Sequence, residues 1–177
     1  MPRSLTVTGE TFPLATPFRI SRGVKTAADV VTVTIAQGEI EGRGESVPYP
    51  RYGESVADSI AEIEAVRTAI EGGVNRRGLL EILPAGAARN AVDCALWDLE
   101  LRLEGRDFAA ATGIATPLQQ IATAMTVGLD TPENMRLAAA ALADVPLIKV
   151  KVDASDPVAQ LRAVRGAAPA PRMIAAP

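Results

Sequence analysis

The chain has 177 residues, of which 48% are hydrophobic and 3% aromatic, and its formal net charge is −3. This length and composition predict one or two globular domains with a core of aliphatic side chains. The acidic balance disfavours a nucleic-acid-binding surface, and no apolar run reaches the roughly 18 residues that suggest a membrane span. The single Cys94 excludes an internal disulfide bond, and the first residues show no secretory signal, so we expect a cytoplasmic protein.

The sequence contains no histidine. Catalytic triads and dyads that use an imidazole are therefore excluded, as are zinc sites with histidine ligands. Acid–base chemistry has to come from carboxylates, lysine, tyrosine or the one cysteine. A bound metal would be a hard cation held by oxygen ligands.

The first part of the chain predicts an antiparallel sheet. Alternating β-branched residues indicate strands over 4–9 and 28–40, and the segment GEIEGRGES indicates a turn and a short return strand. Gly42 and Gly44 are interpreted as part of that turn, because they lack the strand–loop–helix context of a phosphate-binding loop. The proline- and tyrosine-containing segment PYPRYGES, residues 48–55, is predicted to be a loop.

Three helices are predicted next. Apolar residues recur at helical spacing over 56–71, RRGLLEIL forms a short helix, and a longer helix begins at Pro84 and ends at Gly105. Three side chains of the longer helix are interpreted as structural: Asp93, Trp97 and Asp98. Cys94 on the same helix is predicted to be an inert core thiol.

The pattern changes after about residue 112. The segments IATAMTVGL, LIKVKV and RMIAA predict strands, and TPENMRLAAAALAD and SDPVAQLRAVRGAA predict helices between them. Thr131 is the expected N-cap of the first of these helices, with Pro132 as its first residue. Strands alternating with helices at this spacing indicate parallel βα units. We therefore predict an α+β domain over 1–112, followed by the opening of an α/β barrel or sheet over 113–177.

Lysine is rare and unevenly placed. The chain has 15 arginines but only three lysines, Lys25, Lys149 and Lys151. On a strand, residues 149 and 151 share one face. One interpretation is a solvated face, or an edge strand protected by lysine. The other is the interior of a barrel near its carboxyl-terminal rim, where such barrels carry out chemistry.

The second interpretation gives the lysine pair a chemical role. Two neighbouring ammonium groups lower each other's pKa, and a divalent cation nearby lowers it further. A lysine that is neutral near pH 7 can act as a general base.

Four stretches in order carry a resemblance to a known family: ISRGVKTAADVV, PYPRYGES, ILPAGAARNAVDCALWDLE and IKVKVD. Together they resemble dipeptide epimerases of the L-Ala-D/L-Glu epimerase type, in the muconate-lactonizing subgroup of the enolase superfamily. The resemblance extends over residues 10–174. It implies an α+β capping domain followed by the first βαβαβ part of a modified TIM-type (β/α) barrel.

The resemblance also implies a reaction. Mg²⁺ binds a carboxylate of the dipeptide substrate and stabilises the enediolate that forms when the α-proton is removed, a pattern that uses a lysine base. Lys151 is then the acid–base residue on one face of the α-carbon, and Lys149 is its electrostatic partner. Epimerisation needs a second acid–base residue on the opposite face, which the family supplies from a lysine on a later barrel strand.

Four further residues are predicted to bind substrate through the same resemblance. Arg22 lies in a cap loop, where a guanidinium can pair with a substrate carboxylate in bidentate fashion. Tyr49 and Tyr52 lie in a second cap loop, and Thr126 ends the first barrel strand, where its hydroxyl can bind the dipeptide backbone. The structural alternatives are a solvated arginine, a packed loop and an ordinary strand threonine.

The chain departs from the family where the metal should bind. The first metal carboxylate is expected at the position of Ala176, so this chain offers no metal ligand there. An eight-stranded barrel needs on the order of 200 residues, and we expect an incomplete polypeptide that is inactive alone. The alternatives are a muconate cycloisomerase, an o-succinylbenzoate synthase or a non-catalytic binding or assembly module, and a homo-oligomer is possible.

Overall fold

The computed structural model describes residues 2–20, 23–114 and 120–176. The chain divides into two compact units. The first comprises Met1–Pro13 and Ala28–Leu118, and the second comprises Leu14–Ala27 and Gln119–Pro177. The domain boundary expected between residues 112 and 113 stays a prediction.

The first unit contains a three-stranded sheet in the order β1-β2-β3. The strands are β1 (Arg3–Ile20), β2 (Gly23–Gln37) and β3 (Ile40–Ser46). β2 and β3 are antiparallel and are joined by a tight turn in which Gly38 has φ of 66°, a value that favours glycine. β1 continues past the predicted 4–9, and β2 begins before the predicted residue 28 and ends at Gln37 rather than at residue 40. The end of β1 and the start of β2, from Leu14 to Ala27, group with the second unit.

Helices follow the sheet in the first unit. They are α1 (Val56–Ala65), α2 (Arg67–Glu71), α3 (Arg76–Ile82), α4 (Ala87–Glu104) and α5 (Phe108–Thr112), and a single 3₁₀ turn (Pro50–Tyr52) precedes them. The predicted helix over 56–71 is interrupted at Val66, where Arg67 donates a 2.7 Å hydrogen bond to the carbonyl of Leu5 on β1. The third helix begins at Ala87 rather than at Pro84.

Alternating residues of β2 supply the core of the first unit. Val31, Val33 and Ile35 lie on one face of the strand and are buried. They form a cluster with apolar side chains of the helices, among them Ile63, Ile70, Leu79, Val92, Leu96 and Leu99. The alternate residues of β2 and the apolar residues at helical spacing on α4 therefore pack together in one aliphatic core.

Gly42 and Gly44 lie within β3 and not in a turn, so that interpretation is wrong. A Cβ atom on Gly42 would overlap the carbonyl oxygen of Ala95 and the amide nitrogen of Leu99. A Cβ atom on Gly44 would overlap the carbonyl oxygen of Ala91. The two glycines let α4 lie directly on the strand backbone, a close approach that other residues would prevent.

The polar residues of α4 have structural partners. Asp98 accepts a 2.9 Å hydrogen bond from the backbone N–H of Arg43 on β3 and another of 2.9 Å from Arg102. The Arg76 guanidinium lies over the Trp97 ring, 3.3 Å from its centroid, a cation–π contact. These contacts confirm the structural interpretation of Trp97 and Asp98.

Cys94 is exposed on α4, so the prediction of a core thiol is wrong. Its neighbours along the helix explain the error, because Ala91, Ala95 and Leu99 form the buried stripe and Cys94 lies beside it. Partial desolvation, together with the Asp93 carboxylate, raises the pKa of the Cys94 thiol.

The second unit contains a parallel sheet in the order β4-β5-β6. Its elements are β4 (Met125–Val127), α6 (Pro132–Ala140), β5 (Leu147–Lys151), α7 (Pro157–Ala167) and β6 (Arg172–Ala176). Thr131 caps α6 through its side chain and Pro132 is the first residue, as predicted. The sheet pairs are parallel, which confirms the βα-unit interpretation, and this unit forms a partial barrel sheet.

Helices α6 and α7 cover one face of this sheet. Val127, Ile148 and Val150 from the strands are buried against Met135 of α6 and Val164 of α7. In the part of the chain that the structure describes, no helix is both long and apolar enough to cross a membrane.

The close approach of α4 to β3 predicts that Gly44→Ala destabilises the first unit. The added methyl group meets backbone atoms that cannot rotate away, so we expect the free energy of unfolding to fall by about 1–3 kcal/mol. Urea denaturation followed by circular dichroism measures the change.

Gly166→Ala is the control for that substitution. Gly166 lies on α7 with no heavy atom within 4 Å of an added Cβ, so alanine should be neutral or raise stability by up to about 1 kcal/mol. Equal effects of the two substitutions would contradict the packing argument.

Candidate functional site

Register across the parallel sheet brings three predicted site positions together. Thr126 on β4 is the Cα partner of Lys149 on β5, and Lys149 is the partner of Ile174 on β6. Lys151 is the partner of Ala176. Because paired residues of parallel strands share a face, these five residues lie on the same face of the sheet.

That face is the one opposite helices α6 and α7. Ile148 and Val150 are buried in the helix-covered core, whereas Lys149 and Lys151 are half-buried. The strand therefore turns both ammonium groups away from the helices, as the alternation predicts. In a closed barrel this face is the interior. Lys151 lies two residues closer than Lys149 to the carboxyl end of β5.

The chain just beyond Lys151 is held on two sides. The backbone N–H of Val152 donates a 3.2 Å hydrogen bond to the carbonyl of Ala176 on β6. Gln160 of α7, whose side chain is buried, contacts Asp153 through both ends of its amide. Its Nε2 donates to Asp153 Oδ1 over 3.1 Å, and its Oε1 accepts from the Asp153 N–H over 3.3 Å.

Ser155 adds to this network. Its backbone N–H and its hydroxyl both donate to Asp153 Oδ1. These hydrogen bonds, first the one from the Ser155 hydroxyl, lower the pKa of the Asp153 carboxyl. The strand end that carries Lys151 is thus tied to β6 and to α7.

A cleft of about 690 Å³ lies at the carboxyl ends of β4 and β5 within the second unit. Its lining includes Arg19, Leu129, Asp130, Asp153, Asp156 and Gln160. The Arg19 carbonyl accepts a 3.2 Å hydrogen bond from the N–H of Leu129, which joins the far end of β1 to the loop after β4. Lys149 and Lys151 are not among the lining residues, so this cleft and the lysine face are separate features.

The carboxylates at this rim do not form a magnesium site. Asp130 accepts from the Thr131 N–H and from Asn134, and Asp156 caps α7 through the Ala159 N–H. Within residues 2–20, 23–114 and 120–176, no three acidic, cysteine or histidine side chains group as metal ligands. Ala176, where the family resemblance expects the first carboxylate, lies beside Lys151 and has no ligand atom on its side chain. The donors present in the described chain do not fit Mg²⁺.

The remaining predicted substrate residues are Arg22, Tyr49 and Tyr52. Arg22 lies outside the described residues. Tyr49 and Tyr52 belong to the first unit, where their ring centroids are 5.9 Å apart and tilted by 45°. Tyr52 is 76% exposed, which is high for a ring of this size. The substrate-binding roles of these three residues and of Thr126 stay predictions, as do the catalytic roles of Lys149 and Lys151.

Gln160 is the structural residue of this site that sequence reasoning missed. It lies one helical turn before the buried Val164, on the apolar stripe of α7. A polar residue on such a stripe needs hydrogen-bond partners, because its burial otherwise costs free energy. That mismatch is the sequence feature that could have identified it.

Comparison with known proteins gives a family and close relatives. The family described as "Mandelate racemase / muconate lactonizing enzyme, N-terminal domain" matches residues 3–113. L-Ala-D/L-Glu epimerase of Escherichia coli strain K12 is 45% identical over 94% of this chain and 52% of its own length. N-acetyl-D-glutamate racemase of Pseudoalteromonas sp. is 40% identical over 79% of this chain and 44% of its own length. The chain spans about half the length of these curated relatives.

Solved structures give the same picture. An enolase family member from Agrobacterium tumefaciens with homology to dipeptide epimerases, with bound sodium and L-Ala-L-Glu, is 48% identical. It matches with a TM-score of 0.92 over 98% of this chain and 53% of its own. A dipeptide epimerase from Enterococcus faecalis V583, complexed with Mg and L-Leu-L-Tyr, is 25% identical. Its TM-score is 0.84 over 99% of this chain and 53% of its own.

The hydrogen bonds of Gln160 predict that Gln160→Met weakens the second unit. Methionine has a similar length but leaves the Asp153 N–H without its partner, so the free energy of unfolding should fall by about 1–3 kcal/mol. Urea denaturation measures the loss, and amide hydrogen exchange at Asp153 should become faster.

Arg162→Met on the same helix is the control for this change. Arg162 is exposed, and its replacement should change stability by no more than about 0.5 kcal/mol. If the two variants exchanged and unfolded alike, Gln160 would not be holding the strand end.

Proposed function

The chain belongs to the mandelate racemase/muconate lactonizing enzyme family, and on that premise we propose that it is the amino-terminal half of a dipeptide epimerase. The proposed substrates are L-Ala-D/L-Glu and similar dipeptides. The observation that carries the proposal is the lysine pair on the face of the parallel sheet opposite its helices, beside Thr126. The 45% identity to L-Ala-D/L-Glu epimerase supports the choice of substrate.

The proposed chemistry begins at Lys151. Its amine takes the proton from the α-carbon of the glutamyl residue, and the electron pair of the broken C–H bond moves into the substrate carboxylate as an enolate. A proton returned from the opposite face inverts the centre. The second acid–base residue for that return is expected on a later barrel strand.

The other residues are proposed to position the substrate. Lys149 lies two residues before Lys151 on the same face of β5 and is proposed to add positive charge where the enolate forms. The Thr126 hydroxyl is proposed to bind the peptide backbone, and Arg22 to pair with a substrate carboxylate. Tyr49 and Tyr52 are proposed to bind substrate.

Magnesium enters the proposal only for the whole protein. The solved epimerase from Enterococcus faecalis is complexed with Mg, but the described residues of this chain do not group as ligands. Carboxylates from strands beyond β6 would have to hold the ion.

Two other functions have specific support. N-acetyl-D-glutamate racemase is 40% identical, which favours an N-acylated glutamate as the alternative substrate for the same proton transfer. The alanine at position 176 and the lack of a ligand group among the described residues favour a non-catalytic binding or assembly module.

Proton exchange in D₂O tests the enzyme proposal. We expect the whole protein with Mg²⁺ to exchange the glutamyl α-proton of L-Ala-L-Glu, measured by NMR. Lys151→Met should slow this exchange by about 10²–10⁴-fold, the usual contribution of an acid–base residue. Absence of exchange in the unsubstituted protein would exclude the epimerase, and full activity of Lys151→Met would exclude the role of Lys151.

Two comparisons sharpen this experiment. Arg162→Met, which removes an exposed cation from α7, should keep the exchange rate. N-acetyl-D-glutamate in place of the dipeptide separates the racemase from the epimerase by which substrate exchanges faster.

The non-catalytic alternative has a direct measurement. Intact-mass analysis of the protein isolated from its native source should give a mass well above the 18.5 kDa of this sequence, about twice it if the length matches the relatives. A mass of 18.5 kDa would favour the binding or assembly module.

A further inference from the structure

The loop that carries Tyr49 and Tyr52 is closed by a single carboxylate. Glu54 Oε2 accepts a 2.9 Å hydrogen bond from the backbone N–H of Tyr49 at the start of the loop. Its other oxygen, Oε1, accepts a 2.7 Å hydrogen bond from the backbone N–H of Ala87. One side chain therefore joins the beginning of the loop, its end and the first residue of α4.

Helix α4 depends on this contact at its amino terminus. Its N-cap residue is Gly86, which has no side chain and makes no capping hydrogen bond of its own. Glu54 supplies the acceptor from outside the helix, and its negative charge lies at the positive end of the helix dipole. An added Cβ on Gly86 would lie 3.0 Å from Glu54 Oε1, so glycine leaves the space that the carboxylate fills.

The loop from Tyr49 to Gly53 is short, and backbone hydrogen bonds within it form a turn. Tyr52 N–H donates to the Tyr49 carbonyl over 2.8 Å, and Gly53 N–H donates to the Pro50 carbonyl over 3.0 Å. Gly53 has φ of 77°, the left-handed conformation that ends the turn. These local bonds shape the turn, and the Glu54 carboxylate joins it to the first residue of α4.

The ionised form of Glu54 fits this arrangement. The N–H groups of Tyr49 and Ala87, in that order of effect, lower the pKa of the Glu54 carboxyl. Both oxygens act as acceptors, which a neutral amide of the same shape cannot reproduce, because one end of the amide is a donor.

From these contacts we propose that Glu54 is a positioning residue that fixes the Tyr49–Tyr52 loop on the amino terminus of α4, and thereby sets how tightly substrate is held. The proposal of the loop as a substrate contact rests on the proposed function. The attachment of the loop to α4 by Glu54 does not rest on the proposed function, and limited proteolysis measures it separately.

Limited proteolysis tests the fastening on the 177-residue chain. Arg51 lies at the exposed tip of the turn, so trypsin can report how often the loop opens. In Glu54→Gln one of the two hydrogen bonds is lost, and we expect cleavage after Arg51 to become about tenfold faster. Mass spectrometry of the products gives the rate at each site.

Two internal comparisons make the result specific. Glu62→Gln changes an exposed glutamate of α1 and should leave cleavage after Arg51 unchanged. Arg106 is exposed in the same unit, beyond α4, and cleavage there reports general loosening of the fold. Unchanged cleavage after Arg51 in Glu54→Gln, or an equal increase after Arg106, would overturn the proposal.

The link to substrate is tested separately in the whole protein. Glu54→Gln should raise the KM for L-Ala-L-Glu about tenfold while kcat for α-proton exchange stays within about twofold, because the loop positions substrate without transferring protons. A fall in kcat at constant KM would overturn this role. If the unsubstituted protein shows no exchange, the proposed function fails, while the proteolysis result still decides the fastening.

Discussion

Burial of Ile148 and Val150 beneath α6 and α7 is the constraint on which the interpretation of the second unit depends. A strand that buries these two residues on one side has to turn its odd-numbered neighbours to the other. The orientation of Lys149 and Lys151 is therefore set by the apolar residues Ile148 and Val150, which alternate with them along β5. The parallel register then adds Thr126 and Ala176 to the same face.

The acidic residues at the carboxyl ends of the strands line the cleft and not the lysine face. Asp130, Asp153 and Asp156 follow the strands, where a sequence pattern alone suggests metal ligands. In the structure each of them accepts hydrogen bonds from nearby groups, among them the backbone N–H groups of Thr131, Ser155 and Ala159 before or within the first turn of a helix. A carboxylate used in this way satisfies the first turn of a helix, which is why acidic residues after a strand are weak indicators of a cation site.

Sequence patterns predicted the parts of the fold that depend on local chemistry. The cap at Thr131, the proline starts of α6 and α7 and the alternation of β5 follow from neighbouring residues, and the structure has them as expected. The break at Val66 and the exposure of Cys94 depend on contacts between elements distant in sequence. Gln160 and Glu54 were missed for the same reason, since Gln160 bonds to Asp153 seven residues before it and Glu54 bonds to Ala87, 33 residues after it.

Gly42 and Gly44 have a consequence for how this sequence can change. The atoms that an added methyl group would meet at these positions are mainly backbone atoms of α4, at Ala91, Ala95 and Leu99. A smaller side chain on the helix cannot create the missing space, because the obstruction is common to all twenty amino acids. Loss of either glycine therefore has no simple second-site suppressor on α4, and only displacement of the whole helix would relieve it.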